Sequence, residues 1–131
     1  MRKRMNCTGL GLGLALLAVA AAGAAETIPP AAMADAQTIF TARCVMCHGA
    51  GGKGDGPAGA ALSPRPRDMT DPAWQKGVTN EHIEAIIAGG GPAVSKSPMM
   101  PANPDLKTKP DIIKALRHIV RGFAAPTPAA R

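Results

Sequence analysis

Between Ala42 and Pro57 the chain reads ARCVMCHGAGGKGDGP, so that two thiols and an imidazole stand within five residues and a run of glycines follows at once. A segment this rich in glycine has little intrinsic preference for helix or strand. It accepts backbone angles and close approaches that a Cβ forbids. Whatever Cys44, Cys47 and His48 hold must therefore shape the backbone around itself.

These three residues form C-x-x-C-H, the attachment signature of c-type haem. Thiols three residues apart reach the two vinyl groups on one side of a porphyrin, and the adjacent histidine then lies beneath the iron as its proximal ligand. Two other chemistries use similar residues. A redox-active thiol pair normally sits in a strand-to-helix context, and no such alternation surrounds this motif. A zinc site needs a fourth ligand at finger-like spacing, which neither His82 nor His118 supplies. Glycines fit the haem reading, because a backbone wrapped closely on a flat cofactor has no room for side chains.

The N-terminus indicates where such a group would be attached. Arg2, Lys3 and Arg4 precede an apolar run from Leu10 to Ala22, followed by the small residues of AAGAAET. This is the pattern of a secretory signal peptide, residues 1–25, with cleavage near Ala25. The run is short for a membrane span, and an uncleaved anchor is the alternative. Cys7 precedes the apolar run, where a lipidated cysteine would follow it. Losing the three cations takes the formal net charge from +6 to +3, too little to argue for nucleic acid. In the oxidising periplasm, the remaining Cys44 and Cys47 are a disulfide, a metal site or an attachment point. With two Phe, one Trp and no Tyr, the interior lacks the rings that usually fill a domain of this size, and a cofactor would take their place.

Around the motif the pattern is helical, which predicts an all-α fold. Residues 26–33 read as an N-terminal linker, 34–123 as the folded domain, and 124–131, rich in Pro and Ala, as a disordered tail. A first helix is expected from about Ala31 to Cys44, with Ala36, Ile39, Phe40 and Arg43 at helical spacing. A second starts with Asn80 as its cap, presents Ile83, Ile86 and Ile87 on one face, and ends at the glycines 89–91. In the third, Thr108 and Asp111 make a capping-box-like start around Pro110, and an apolar stripe runs from Ile112 through Leu116 and Val120 to Phe123. That stripe is expected to cross the first helix. His82 and His118 read as solvated side chains.

A second axial ligand separates an electron carrier from a haem that binds small molecules. Met99 and Met100, in SPMMP, are the candidates. A thioether is a soft ligand that favours ferrous iron, and Pro98 and Pro101 restrict the loop on either side. Propionates need donors, and Trp74, Arg65 and Arg67 are candidates, ordinary packing and solvation being the alternatives. Lys53, Lys76, Lys96 and Lys107 could steer the protein to an acidic partner.

CVMCHGAGGKGDGP, then LSPRPRDMTDPAW, then SPMMPANPDL and a closing amphipathic helix together resemble a class I monohaem cytochrome c of bacterial type, over about Ala34 to Phe123. The resemblance implies a small cytochrome c fold, N- and C-terminal helices packed crosswise around one haem c. It also implies thioether bonds at Cys44 and Cys47, His48 as proximal ligand, and Met100, the methionine before proline, as distal ligand, with Met99 the alternative. The Pro57 carbonyl is then expected to accept from His48. An aromatic from each terminal helix is expected beside the haem. Phe40 is one, and Phe123 stands in for Ile119, which occupies the usual place of the other. The function implied is one-electron transfer between redox proteins in the periplasm, with no catalysis. Two further readings share this site: an electron-accepting subunit of a periplasmic dehydrogenase, and a sensor or peroxidase-like haem protein with a labile distal methionine.

Overall fold

The computed structural model describes residues 26–124, so the signal-peptide segment 1–25 and residues 125–131 of the tail lie outside it. All regular structure among the described residues is helical. Helix α1, Pro30–Ile39, opens on a proline in its first turn and is rich in alanine, the best helix former. Residues 30–33, expected as linker, are its first turn. The helix does not stop before the motif. It passes through a single π turn, Phe40–Cys44, in which Val45 N–H reaches back to the Phe40 carbonyl, and continues as α2, Val45–His48. Both cysteines and His48 thus ride on one unbroken helical run. Gly49, with φ of 76°, ends it.

Helix α3, Pro72–Gly77, is a short element that hydrophobic periodicity does not announce. Its signal is the pair Asp71-Pro72: Asp71 caps the N–H groups of Ala73 and Trp74, and Pro72 occupies the first turn. Helix α4, Asn80–Gly89, begins one residue earlier than expected, because Thr79 rather than Asn80 is the cap and accepts from His82 N–H. It ends in the predicted glycines, with Ile83 and Ile87 buried. Helix α5, Pro110–Gly122, has no side-chain cap: Lys109 stands at the N-cap, so Thr108 and Asp111 do not form the expected box. Its start is defined by Pro110 instead.

The terminal helices pack on each other, and α4 packs on α5. Ala36 on α1 and Ala115 on α5 are both fully buried, and such small residues let two helices approach closely. Phe40, at the end of α1, meets Phe123, at the end of α5, with ring centroids 5.5 Å apart and planes inclined at 40°. Phe123 therefore pairs with the aromatic of the first helix, while Ile119 is half-buried. Ile83 and Leu106 anchor the centre of the core.

Buried side-chain nitrogen and oxygen atoms are all hydrogen-bonded among the described residues. Gln75 Nε2 donates to the carbonyls of Met69, at 2.7 Å, and Val120, at 2.8 Å. The guanidinium of Arg117, buried on α5, pairs with Glu26 and, at 3.0 Å, with Glu84 of α4. Arg121 ties the α3–α4 connection to α5 by donating to Asn80 Oδ1 at 2.9 Å and to the Val78 carbonyl at 2.7 Å.

The Phe123 ring also lies over the glycine loop. A Cβ on Gly52 would come within 2.7 Å of it, at a residue whose φ is 71°. Phe40→Ala should lower stability by about 3–5 kcal/mol, as deletion of a buried ring does. Gly52→Ala should destabilise the wild type more than it destabilises a Phe123→Ala variant, in which only the left-handed backbone cost of about 1–2 kcal/mol remains. Denaturant unfolding of the double-mutant cycle checks this, and strict additivity would show that the ring is not the obstacle.

Candidate haem site

The site is assembled from one helix end and two loops. Cys44 and Cys47 are half-buried, and His48 is half-buried at the last position of α2. The glycine segment then folds back over this helix end. Gly54 N–H donates to the His48 carbonyl at 2.9 Å, Gly56 N–H to the Cys47 carbonyl at 3.2 Å, and Ala58 N–H to the Met46 carbonyl at 2.9 Å. These are carbonyls that a helix C-terminus leaves without partners, and the loop satisfies them in turn. The approach is so close that a Cβ on Gly56 would fall 2.7 Å from the Cys47 carbonyl carbon, and nearer still to the Val45 carbonyl oxygen.

Met69 N–H donates to the Gly52 carbonyl at 2.7 Å, which lays the segment 66–69 beside the glycine loop. This pairing decides what orients the imidazole. His48 Nδ1 lies 3.4 Å from the Arg67 carbonyl oxygen, to which it can donate. The expected acceptor was the carbonyl of Pro57. Pro57 is exposed, and the neighbouring segment 66–69 supplies the acceptor instead. Arg67 thus enters the site through its backbone, which its side-chain chemistry could not have signalled.

Burial sets the protonation of the motif. It pushes the Cys44 thiol up to about 11, against the opposing pull of the Arg43 guanidinium. Burial also lowers His48 below the usual imidazole range, and the hydrogen bond to Arg67 only partly offsets this. Burial thus favours the neutral imidazole of His48, the form that ligates a metal. With Nδ1 engaged by Arg67, Nε2 keeps its lone pair free. The donor set therefore fits a haem iron on its proximal side.

Met100 is half-buried, and its carbonyl accepts from Gly91 N–H at 2.9 Å, just beyond the C-terminal end of α4. Met99 is 57% exposed. Trp74 is half-buried against the hydrophobic core, whereas Arg65 and Arg67 expose their side chains. His118 is exposed and His82 half-buried. No three His, Cys, Asp or Glu side chains among the described residues are grouped so as to hold a metal ion, unlike a zinc site. A surface cavity of about 460 Å³ lies apart from the motif, between α3 and α5, lined by Pro72, Gln75, Lys76 and Arg121 among others.

The family profile for cytochrome c matches residues 33–119. The chain belongs to the cytochrome c family. This cytochrome c is also similar to a solved structure, the KustC0563 c-type cytochrome, at 30% identity and a TM-score of 0.51, over 69% of this chain and 98% of that one. No curated protein matches it significantly. Membership gives the motif its cofactor, a covalently bound haem c, and gives the fold its class. Among the described residues no helix is long and apolar enough to cross a membrane.

The close wrap makes a position-specific demand on this cytochrome. Gly56→Ala should destabilise the folded protein by about 2 kcal/mol or more, because the obstacle is backbone and cannot rotate away. Gly51→Ala, where a Cβ would meet nothing within 4 Å, should change stability by no more than about 0.5 kcal/mol. Unfolding midpoints of the two variants, compared side by side, test the contrast.

Proposed function

We propose that this cytochrome c is a periplasmic one-electron carrier, with Cys44 and Cys47 in thioether linkage, His48 as proximal ligand and Met100 as distal ligand. The haem supplies the ferric/ferrous couple. The protein's part is to hold that couple in one geometry and one environment. Cys44 and Cys47 retain the ring, and their place on a continuous helix brings His48 to it at a defined angle. His48 keeps Nε2 for the iron because Nδ1 faces the Arg67 carbonyl. The observation that carries the distal assignment is the contrast within the Met pair. Met100 is half-buried with its carbonyl pinned to Gly91, whereas Met99 is largely exposed.

A thioether and an imidazole together fill both axial positions. That arrangement suits electron transfer rather than binding or turnover of a small molecule. Trp74 and the exposed Arg65 and Arg67 are the propionate donors we favour from their chemistry. The periplasmic assignment rests on the signal pattern of residues 1–25 together with the attachment motif.

Spectra of the purified holoprotein test the ligand set. The ferric form should show the weak far-red sulfur-to-iron band. Met100→Ala should abolish it and Met99→Ala should leave it, and the reverse pattern would transfer the ligand role to Met99. A double Cys44→Ser, Cys47→Ser variant should release its haem to acidified organic solvent, whereas the wild type retains it.

Lys53, Lys76, Lys96 and Lys107 are all exposed, and they equip the carrier for an acidic redox partner. Stopped-flow electron transfer with such a partner should slow as salt rises from about 0.01 to 0.15 M, over which the Debye length contracts from about 30 to 8 Å. A rate indifferent to salt would remove the steering role.

A further inference from the structure

Arg43 immediately precedes Cys44, and its side chain reaches a segment far along the chain. Its guanidinium grips Asp105 as a fork, Nη1 to Oδ1 at 3.0 Å and Nη2 to Oδ2 at 3.1 Å. The same Nη1 donates to Asn103 Oδ1 at 3.2 Å. Asn103 is fastened in turn to the end of α4: its Nδ2 donates to the Ile87 carbonyl at 2.8 Å and its backbone N–H to the Ala88 carbonyl at 3.0 Å. A few residues upstream, the Met100 carbonyl is held by Gly91 N–H at 2.9 Å. The stretch from Met100 to Asp105 is therefore pinned at Asn103 to α4 and at Met100 to Gly91, two residues beyond the end of that helix. It is joined to the cysteine-bearing helix by Arg43.

The pair is half open to solvent, with side chains 42% and 45% exposed. An exposed pair contributes little to global stability, so stability alone gives a weak reason for a two-point fork with a third acceptor. Its location supplies a better one. It spans the two segments that carry the haem's covalent attachment and the methionine loop.

We propose that Arg43 is a positioning residue for the distal methionine, acting through Asn103 and Asp105 to hold the Met100 segment in register with the helix bearing Cys44, Cys47 and His48. This rests on Met100 being the distal ligand. A thioether is a weaker partner for ferric than for ferrous iron, so the ferric protein depends most on the chain to keep sulfur in place. Loosening the strap raises the fraction of molecules in which Met100 has left the iron. An added ligand that binds only those molecules gains apparent affinity in proportion.

Imidazole is the probe, titrated into the ferric holoprotein and followed by its absorption spectrum. Arg43→Gln and Asp105→Ala should each raise imidazole affinity about two- to fivefold, the range a solvent-exposed ion pair can supply. The double variant should gain no more than either single, because both remove the same contact. Arg43→Lys should fall between, since an ammonium keeps the charge but not the fork. Glu84→Gln, which disturbs the separate pair with Arg117, should leave imidazole affinity unchanged even if it lowers the unfolding temperature. Unchanged affinity in Arg43→Gln and Asp105→Ala, with the far-red band present in the wild type, overturns the positioning role alone. An equal gain in Glu84→Gln overturns it as well, by showing general loosening. A wild type without the far-red band overturns Met100 ligation itself and takes the strap with it.

Discussion

The packing of α5 against α1, closed at one end by the Phe40–Phe123 pair, is the contact on which the remaining structure depends. It joins the two ends of the folded domain, and it places the Phe123 ring over Gly52 in the middle of the motif loop. The chain between them is short of large side chains, and few other contacts could take over. Ala36 and Ala115 let the helices come close, while Phe40, Ile83 and Leu106 supply much of the apolar area that offsets the entropy of ordering long glycine- and proline-rich loops.

From that contact the site inherits its geometry. The helix that ends in His48 is fixed at one end by α5, and the glycine loop folded over its other end satisfies the exposed carbonyls. The segment 66–69 is laid alongside and brings a carbonyl to the imidazole. Burial by these layers favours the neutral imidazole of His48, the state in which it can ligate iron. The methionine segment is held separately, by hydrogen bonds to the end of α4 and to Gly91 just past it. Two segments far apart along the chain need a connection if their spacing is to persist, and Arg43 joins them through Asn103 and Asp105.

Local chemistry explains which features were legible beforehand. C-x-x-C-H is a covalent and coordinative requirement concentrated in five residues, and no tertiary context is needed to recognise it. The helices at 80–89 and 110–122 repeat apolar residues at a period their neighbours cannot disguise, and the glycines at 89–91 end the first of them. Helix boundaries were less legible. Thr79 and Asn80 are both competent caps, and Pro110 starts α5 without help from Thr108. The short α3 carries too few residues to show a period, although Asp71-Pro72 marks its start.

By itself the sequence determined the cofactor class, the all-α character, the proximal histidine candidate and the pair Met99/Met100, because each rests on residue type or on spacing within one segment. The tertiary structure alone decided which carbonyl faces His48, which methionine is tucked in, where Phe123 goes, and what Arg43 holds. Each of these is a meeting between residues far apart along the chain. A backbone carbonyl such as that of Arg67 has no side-chain signature, and an arginine at helical spacing looks the same in sequence whether it faces water or forks a distant aspartate. Only the closing of loops, driven by burial of the core, selects among such partners.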